Sequence, residues 1–116
     1  MQKILIIDDE EDLCSVLSTA MKKYSFRVDC VHTLAEAEKK LKTHFDIVLL
    51  DNNLPDGSGL DYYKRYPLRF KRTCVVLITA DTRTGLAKKA QEAGVAAVIQ
   101  KPFSIAKIKE TIMELA

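Results

Sequence analysis

The residues best suited to chemistry stand directly after short apolar runs. Asp8 and Asp9 follow Ile4 to Ile7, Asp51 follows Ile47 to Leu50, Thr79 and Ala80 follow Cys74 to Ile78, and Lys101-Pro102 comes just after Ala96 to Ile99. If these runs are parallel strands, three carboxylates, one hydroxyl and one ammonium meet at one edge of a sheet, where open α/β folds bind ligands. Carboxylates held that close repel one another, and a divalent cation relieves the repulsion. With no Cys or His read at these strand ends, oxygen ligands completed by water suit Mg²⁺ better than Zn²⁺. When a metal and a cation neutralise the transferring oxygens, a carboxylate is a competent nucleophile toward phosphorus, and an aspartyl phosphate is the product. Lys101 supplies the compact charge and Thr79 a hydroxyl donor. Ala80 leaves the entrance open, and its backbone N–H can point at the phosphoryl oxygens.

The elements that must position these residues are visible as changes of period. Five apolar runs, at Ile4 to Ile7, Phe26 to Cys30, Ile47 to Leu50, Cys74 to Ile78 and Ala96 to Ile99, read as buried strands. Between them Leu13, Val16, Leu17, Ala20, Met21 and Tyr24 recur at helical spacing, as do Leu34, Ala37 and Leu41. Thr33 with Glu36 predicts a capping box, and Gly94 predicts the end of a fourth helix with Leu86, Ala87, Ala90 and Ala93 inward. Ile105, Ile108, Ile112 and Leu115 mark a fifth, and residues 59–66 a short third helix stopped by Pro67. Strand–helix alternation repeated five times predicts an α/β fold: a doubly wound, five-stranded parallel sheet, (βα)5 in three layers.

Composition narrows the rest. A chain of 116 residues, 47% hydrophobic, predicts one domain over residues 1–116. Eighteen basic against sixteen acidic residues leave a formal charge of +2, so no polyanion or nucleic-acid binder is indicated. Cys14, Cys30 and Cys74 are odd in number and form no C-x-x-C, which points to reduced, core-filling thiols. The residues from Met1 to Ile7 do not read as a signal peptide and no run reaches membrane-spanning length, so a cytoplasmic protein is expected.

Blander readings stand beside the sharp ones. Glu10, Glu11 and Asp12 read as solvated acids favourably placed at a helix N-terminus. Pro55, Gly57 and Gly59 read as turn punctuation. The basic cluster Lys64, Arg65, Arg69, Lys71 and Arg72 lies at the opposite end of the sheet from the acids and reads as a solvated loop. His32 and His44 read as surface residues away from the strand carboxyl ends. Tyr62, Tyr63 and Tyr66 read as helix packing and not as a base-stacking platform.

Together, Ile6-Ile7-Asp8-Asp9-Glu10-Glu11-Asp12, Leu50-Asp51-Asn52-Asn53-Leu54-Pro55-Asp56-Gly57-Ser58-Gly59, Thr79-Ala80 and Lys101-Pro102-Phe103 closely resemble the receiver domains of bacterial two-component response regulators. The resemblance spans essentially the whole chain and implies a flavodoxin-like strand order, 2-1-3-4-5. It implies that Asp51 accepts a phosphoryl group from a histidine kinase or histidine phosphotransfer protein. It also implies that Asp9 binds Mg²⁺ directly, that Asp8 acts largely through water, and that the carbonyl of Asn53 is a further ligand. Thr79 and Lys101 would grasp the phosphoryl group and report it to a partner, an output domain or a second copy through the fourth helix, fifth strand and fifth helix. Two positions depart from the family pattern. Val98 stands where an aromatic switch residue is frequent, and Asn53, two residues after the acceptor, carries a side chain able to overhang the site.

Other classes fit less well. A flavin carrier of the same topology would place hydroxyls and backbone N–H groups, not carboxylates, after the first strand. A magnesium-dependent phosphohydrolase with an aspartyl nucleophile, the main alternative, needs a second acid and a cap, and neither is evident. An interaction module with a vestigial site would not keep the complete residue set. The sequence thus points to a phosphoacceptor signalling domain that assists its own phosphorylation and dephosphorylation, with no membrane or direct nucleic-acid partner.

Overall fold

The computed structural model describes residues 2–81, 83 and 85–116. Met1, Thr82 and Thr84, which the sequence reading touched at the first run and in the loop after Ala80, lie outside the described residues. The elements run β1 (Lys3–Ile7), α1 (Glu11–Lys22), β2 (Arg27–Val31), α2 (Leu34–Lys40), β3 (Ile47–Asp51), β4 (Asn53–Leu54), β5 (Gly57–Ser58), α3 (Gly59–Arg65), a 3₁₀ turn (Pro67–Phe70), β6 (Cys74–Thr79), α4 (Leu86–Ala93), β7 (Ala97–Gln100) and α5 (Ile105–Leu115).

Five strands form one parallel sheet in the order β2-β1-β3-β6-β7, the doubly wound arrangement expected from the alternation. Its central strands β1, β3 and β6 are buried on both faces, and alternate residues feed two cores. Leu5, Ile7, Val48, Leu50, Val75 and Leu77 pack under α2, α3 and α4, while Ile4, Ile6, Ile47, Leu49, Val76 and Ile78 pack under α1 and α5. The small β4–β5 hairpin, Asn53 opposite Ser58 and Leu54 opposite Gly57, was not foreseen.

Several apolar positions depart from the expected stripes. α1 ends at Lys22, so Tyr24 falls beyond it and is exposed, and Val16 is half exposed on its outer side. Ala87 is exposed, and α4 buries only Ala90 fully. Of the three free cysteines, Cys14 is buried, whereas Cys30 and Cys74 are half-buried. The α2 cap also differs in detail. Thr33 Oγ1 accepts from Glu36 N at 3.1 Å, but the Glu36 carboxylate accepts from His32 N at 2.8 Å rather than closing the box on Thr33. The remaining orphan donors, Leu34 N and Ala35 N, give their hydrogen bonds to Asp56 at 2.9 and 3.0 Å.

Candidate functional site

The strand order reverses between β1 and β3, and the carboxyl ends of these neighbours carry Asp8 and Asp51. Backbone bonds just past the strands hold the site-bearing segments. Asp8 N donates to Val31 O (3.0 Å), Asn52 N to Ile78 O (2.8 Å), and Lys101 N to Thr79 O (2.8 Å). Each site residue is thus fixed to a strand next to its own.

Asp8, Asp9 and Asp51 offer carboxylate oxygens that all lie within 4.8 Å of one another. Asp8 and Asp51 are almost fully buried, and Asp9 is exposed at the mouth. Asp8 Oδ1 accepts from Glu10 N at 2.9 Å, while Asp8 Oδ2 is buried with no hydrogen-bond partner among the described residues. Asp51 Oδ1 accepts from Asn53 N at 3.1 Å, and Asp51 Oδ2 from Lys101 Nζ at 3.3 Å. Lys101 Nζ also lies 3.3 Å from Glu10 Oε1 and 3.6 Å from Asp8 Oδ2. Three carboxylates therefore surround one ammonium.

The electrostatic consequences follow from burial. Desolvation pushes the Asp51 carboxyl up, against the opposing pull of the Asn53 N–H and Lys101, and Asp9 adds to the rise. Asp8 is likewise raised, first by burial and further by Asp51, with the Glu10 N–H and Lys101 opposing. Burial works against the Lys101 charge, but Asp51, Asp8 and Glu10 outweigh it and hold the amine protonated above its ordinary range. An orphaned buried carboxylate oxygen, two strained acids and an exposed third match what a hard dication needs: oxygen donors with room for water. The donor set fits Mg²⁺, with Asp8, Asp9, Asp51 and the Asn53 carbonyl as the candidate ligands.

Thr79 sits at the end of β6, buried, and its Oγ1 accepts from Asp81 N at 2.9 Å. Ala80 beside it is exposed, as an open entrance requires. Lys101 joins Pro102 through a cis peptide, which ends the segment after β7. Val98 is half-buried and lines a cleft of about 250 Å³ with Thr79, Asp81, Ala87, Gln91 and Gln100.

Three sequence readings need correction. Glu10 is not merely a solvated helix acid, because it reaches Lys101. His32 is not remote from the strand ends: it follows β2 directly, and its Nδ1 is 2.8 Å from the Asp8 carbonyl oxygen. The relevant signal was its place two residues after the second apolar run. Arg69 of the basic cluster is half-buried and pairs with Glu38, while Lys64, Arg65, Lys71 and Arg72 are exposed. Tyr62, Tyr63 and Tyr66 pack with one another and with Phe70 as helix aromatics, and His44 is exposed.

Two supporting residues were missed. Asn52 Oδ1 accepts from Ser58 Oγ (3.0 Å) and Leu60 N (3.1 Å), tying the residue after Asp51 to the start of α3. Gly59 is required by close approach and not by turn geometry. A Cβ there would overlap the Asp51 carbonyl oxygen and stand 2.9 Å from Leu50 Cγ. No spacing rule reports such a contact.

Comparison with known proteins places this geometry. A family model described as response regulator receiver domain matches residues 4–113. The response regulator protein PilR of Pseudomonas aeruginosa is 33% identical over 112 residues, covering 96% of this chain and 25% of PilR. The autoinducer 2 sensor kinase/phosphatase LuxQ of Vibrio vulnificus is 28% identical over 113 residues, 96% of this chain and 13% of LuxQ. The chain thus spans a quarter or less of these relatives. The solution structure of the beryllofluoride-activated NtrC4 receiver domain dimer superposes with a TM-score of 0.90 at 32% identity, covering 99% of this chain and 96% of that one.

Proposed function

The chain belongs to the response regulator receiver domain family of two-component systems, a family of signalling domains, and from that premise we propose that Asp51 is its phosphoacceptor. The observation that carries the proposal is the setting of Asp51: nearly inaccessible, with one oxygen held by Asn53 N and the other by Lys101 Nζ, beside the orphaned oxygen of Asp8.

In the proposed reaction an Asp51 carboxylate oxygen attacks the phosphorus of a phosphohistidine on a sensor kinase or histidine phosphotransfer protein. The P–O bond forms as the P–N bond breaks, and the electron pair returns to the imidazole. Mg²⁺ held by Asp8, Asp9, Asp51 and the Asn53 carbonyl would supply charge neutralisation at the phosphoryl oxygens. Lys101, already protonated and pointed at Asp51, answers the same charge from the other side. Thr79 can donate its hydroxyl hydrogen, and the Ala80 N–H is a further candidate donor. Residues 1–116 would form one receiver unit acting in the cytoplasm, with no direct role on nucleic acid. It would be a phosphoacceptor and not a turnover enzyme, promoting its own phosphorylation and dephosphorylation. Receiver domains pair with sensor kinases, which the sensor kinase among the relatives supports. The dimeric form of the NtrC4 receiver supports a second copy as one output, an attached output domain being the other.

The test uses phosphoramidate as a small donor. The reading expects one phosphoryl group per chain by intact mass with Mg²⁺ present, and far slower uptake when the metal is chelated. Uptake at the same rate without metal would overturn it.

A further inference from the structure

A second cluster of reactive side chains lies in a cleft of about 480 Å³ between α1 and β2. Cys14 and Ser18 are four residues apart and share one face of α1, which packs on β2. Because β2 is an edge strand, no further strand covers Cys30 on that side. Cys30 Sγ lies 3.3 Å from Ser18 Oγ and 3.8 Å from the Cys14 carbonyl oxygen, which brings the two cysteines side by side.

The two sulfurs are not equivalent. Cys14 is 4% exposed, and its Sγ lies 3.8 Å from the Asp8 carbonyl oxygen. Cys30 is half-buried and lines the cleft. The neighbouring Cys14 lowers its thiol, burial opposes, and Ser18 and His32 lower it further against Asp29, to about 6. Glu11, Lys22 and His32 are the other charged or titratable groups on the cleft wall. Cys30, half-buried and facing the cleft, and the enclosed Cys14 beside it are placed as an attacking and a resolving thiol.

We propose that Cys14 and Cys30 form a reversible dithiol–disulfide couple responsive to hydroperoxides. The Cys30 thiolate attacks the terminal peroxide oxygen. An S–O bond forms, the O–O bond breaks, and the departing alkoxide or hydroxide takes a proton from water, leaving Cys30 as a sulfenic acid. Cys14 then attacks Cys30 sulfur, the S–O bond breaks, and water leaves with the Cys14 proton. The sulfur is oxidised by two electrons and the peroxide reduced by two. The product ties the first half of α1 to β2 and removes the Cys14 contact with the backbone of Asp8. A dithiol reductant reverses it.

The experiment exposes reduced protein to hydrogen peroxide, blocks remaining thiols with iodoacetamide and maps peptides by mass. The inference expects loss of two hydrogens, one Cys14–Cys30 linked peptide reversed by dithiothreitol, and Cys74 still alkylated. Cys14→Ser should stop at a Cys30 sulfenic acid captured by dimedone, and Cys30→Ser should give no linked peptide. A measurement on the unmutated protein guards against misfolded variants. Iodoacetamide labelling of Cys30 should rise with a midpoint near pH 6, against about 8.5 for the same thiol in the denatured chain. At pH 7 the thiolate fraction is then roughly thirtyfold higher, offset by lower nucleophilicity to a net two- to threefold faster reaction. Oxidation of Cys74 first, disulfides between molecules alone, or a native midpoint at or above the denatured one would overturn the proposal.

Discussion

Replacing Gly59 with alanine tests whether the approach of α3 to the acceptor strand is as tight as the structure shows. The added Cβ would overlap the Asp51 carbonyl oxygen and press on Leu50 Cγ at 2.9 Å. Elsewhere at a helix start, alanine in place of glycine gains up to about 1 kcal/mol from helix propensity and a stiffer unfolded chain. Here the obstacle is main chain of a buried strand that cannot rotate aside, so the overpacking cost sits at the upper end of its range, about 3 kcal/mol. The net loss is about 2 kcal/mol. At roughly 2.1 cal/mol/K per residue, a 116-residue domain unfolds with about 0.24 kcal/mol/K, so the melting temperature should fall by about 8 °C. Calorimetry or circular dichroism on Gly59→Ala measures this, with Gly85→Ala as the comparison. At Gly85 a Cβ meets nothing within 4 Å but the φ of 102° carries its own penalty of about 1–2 kcal/mol. A Gly59→Ala protein melting at or above the parent would refute the close-approach argument.

Further expectations concern the acids and their coupling to α4. Mg²⁺ at a hundred times its dissociation constant should add about 2.7 kcal/mol to stability, and Asp9→Ala should lose most of that shift; flat melting curves across a Mg²⁺ titration would count against the site. Because burial raises Asp8 and Asp51 above 3.8, the folded metal-free chain keeps protons that the unfolded chain has released. Their contribution is therefore full below about pH 3.8 and is lost as pH rises through the raised values, so the stability of Asp8→Asn relative to the parent should grow with pH in denaturant titrations. With beryllofluoride bound, drawing Thr79 inward breaks its bond from Asp81 N, so amide shifts should be large over residues 80–90, small at Val98, and abolished by Thr79→Ala. Large shifts centred on Val98 that survive in Thr79→Ala would show another route.

The layers of the fold were legible because unbroken apolar runs mark strands buried on both faces and a period of 3.6 reports the buried face of a helix, and the carboxylate edge because parallel strands put every strand end on one side. What periodicity cannot report is where an element stops. Tyr24 continues the α1 stripe, yet the helix ends at Lys22 and the chain turns through Ser25 at φ 66°. The reading also omitted contacts between segments far apart in sequence: Asp56 capping α2, Asn52 tying β3 to α3, and His32 on the backbone of Asp8. Asp8, Asp9, Asp51 and Lys101 lie together because each stands at or just past the carboxyl end of a parallel strand. Asn52 and Gly59 act through a side-chain clamp and a missing side chain, neither of which has a spacing signature.

The central claim is that one carboxylate, Asp51, receives the phosphoryl group, and locating that group tests it most directly. Protein incubated with acetyl phosphate and Mg²⁺ should gain one hydroxylamine-labile phosphoryl group, mapped by peptide mass to the segment containing Asp51 and not to Asp8 or Asp9. Asp51→Ala should gain none. Equal labelling of Asp51→Ala, or a phosphoryl group found on Asp8 or Asp9 in the parent, would contradict the account.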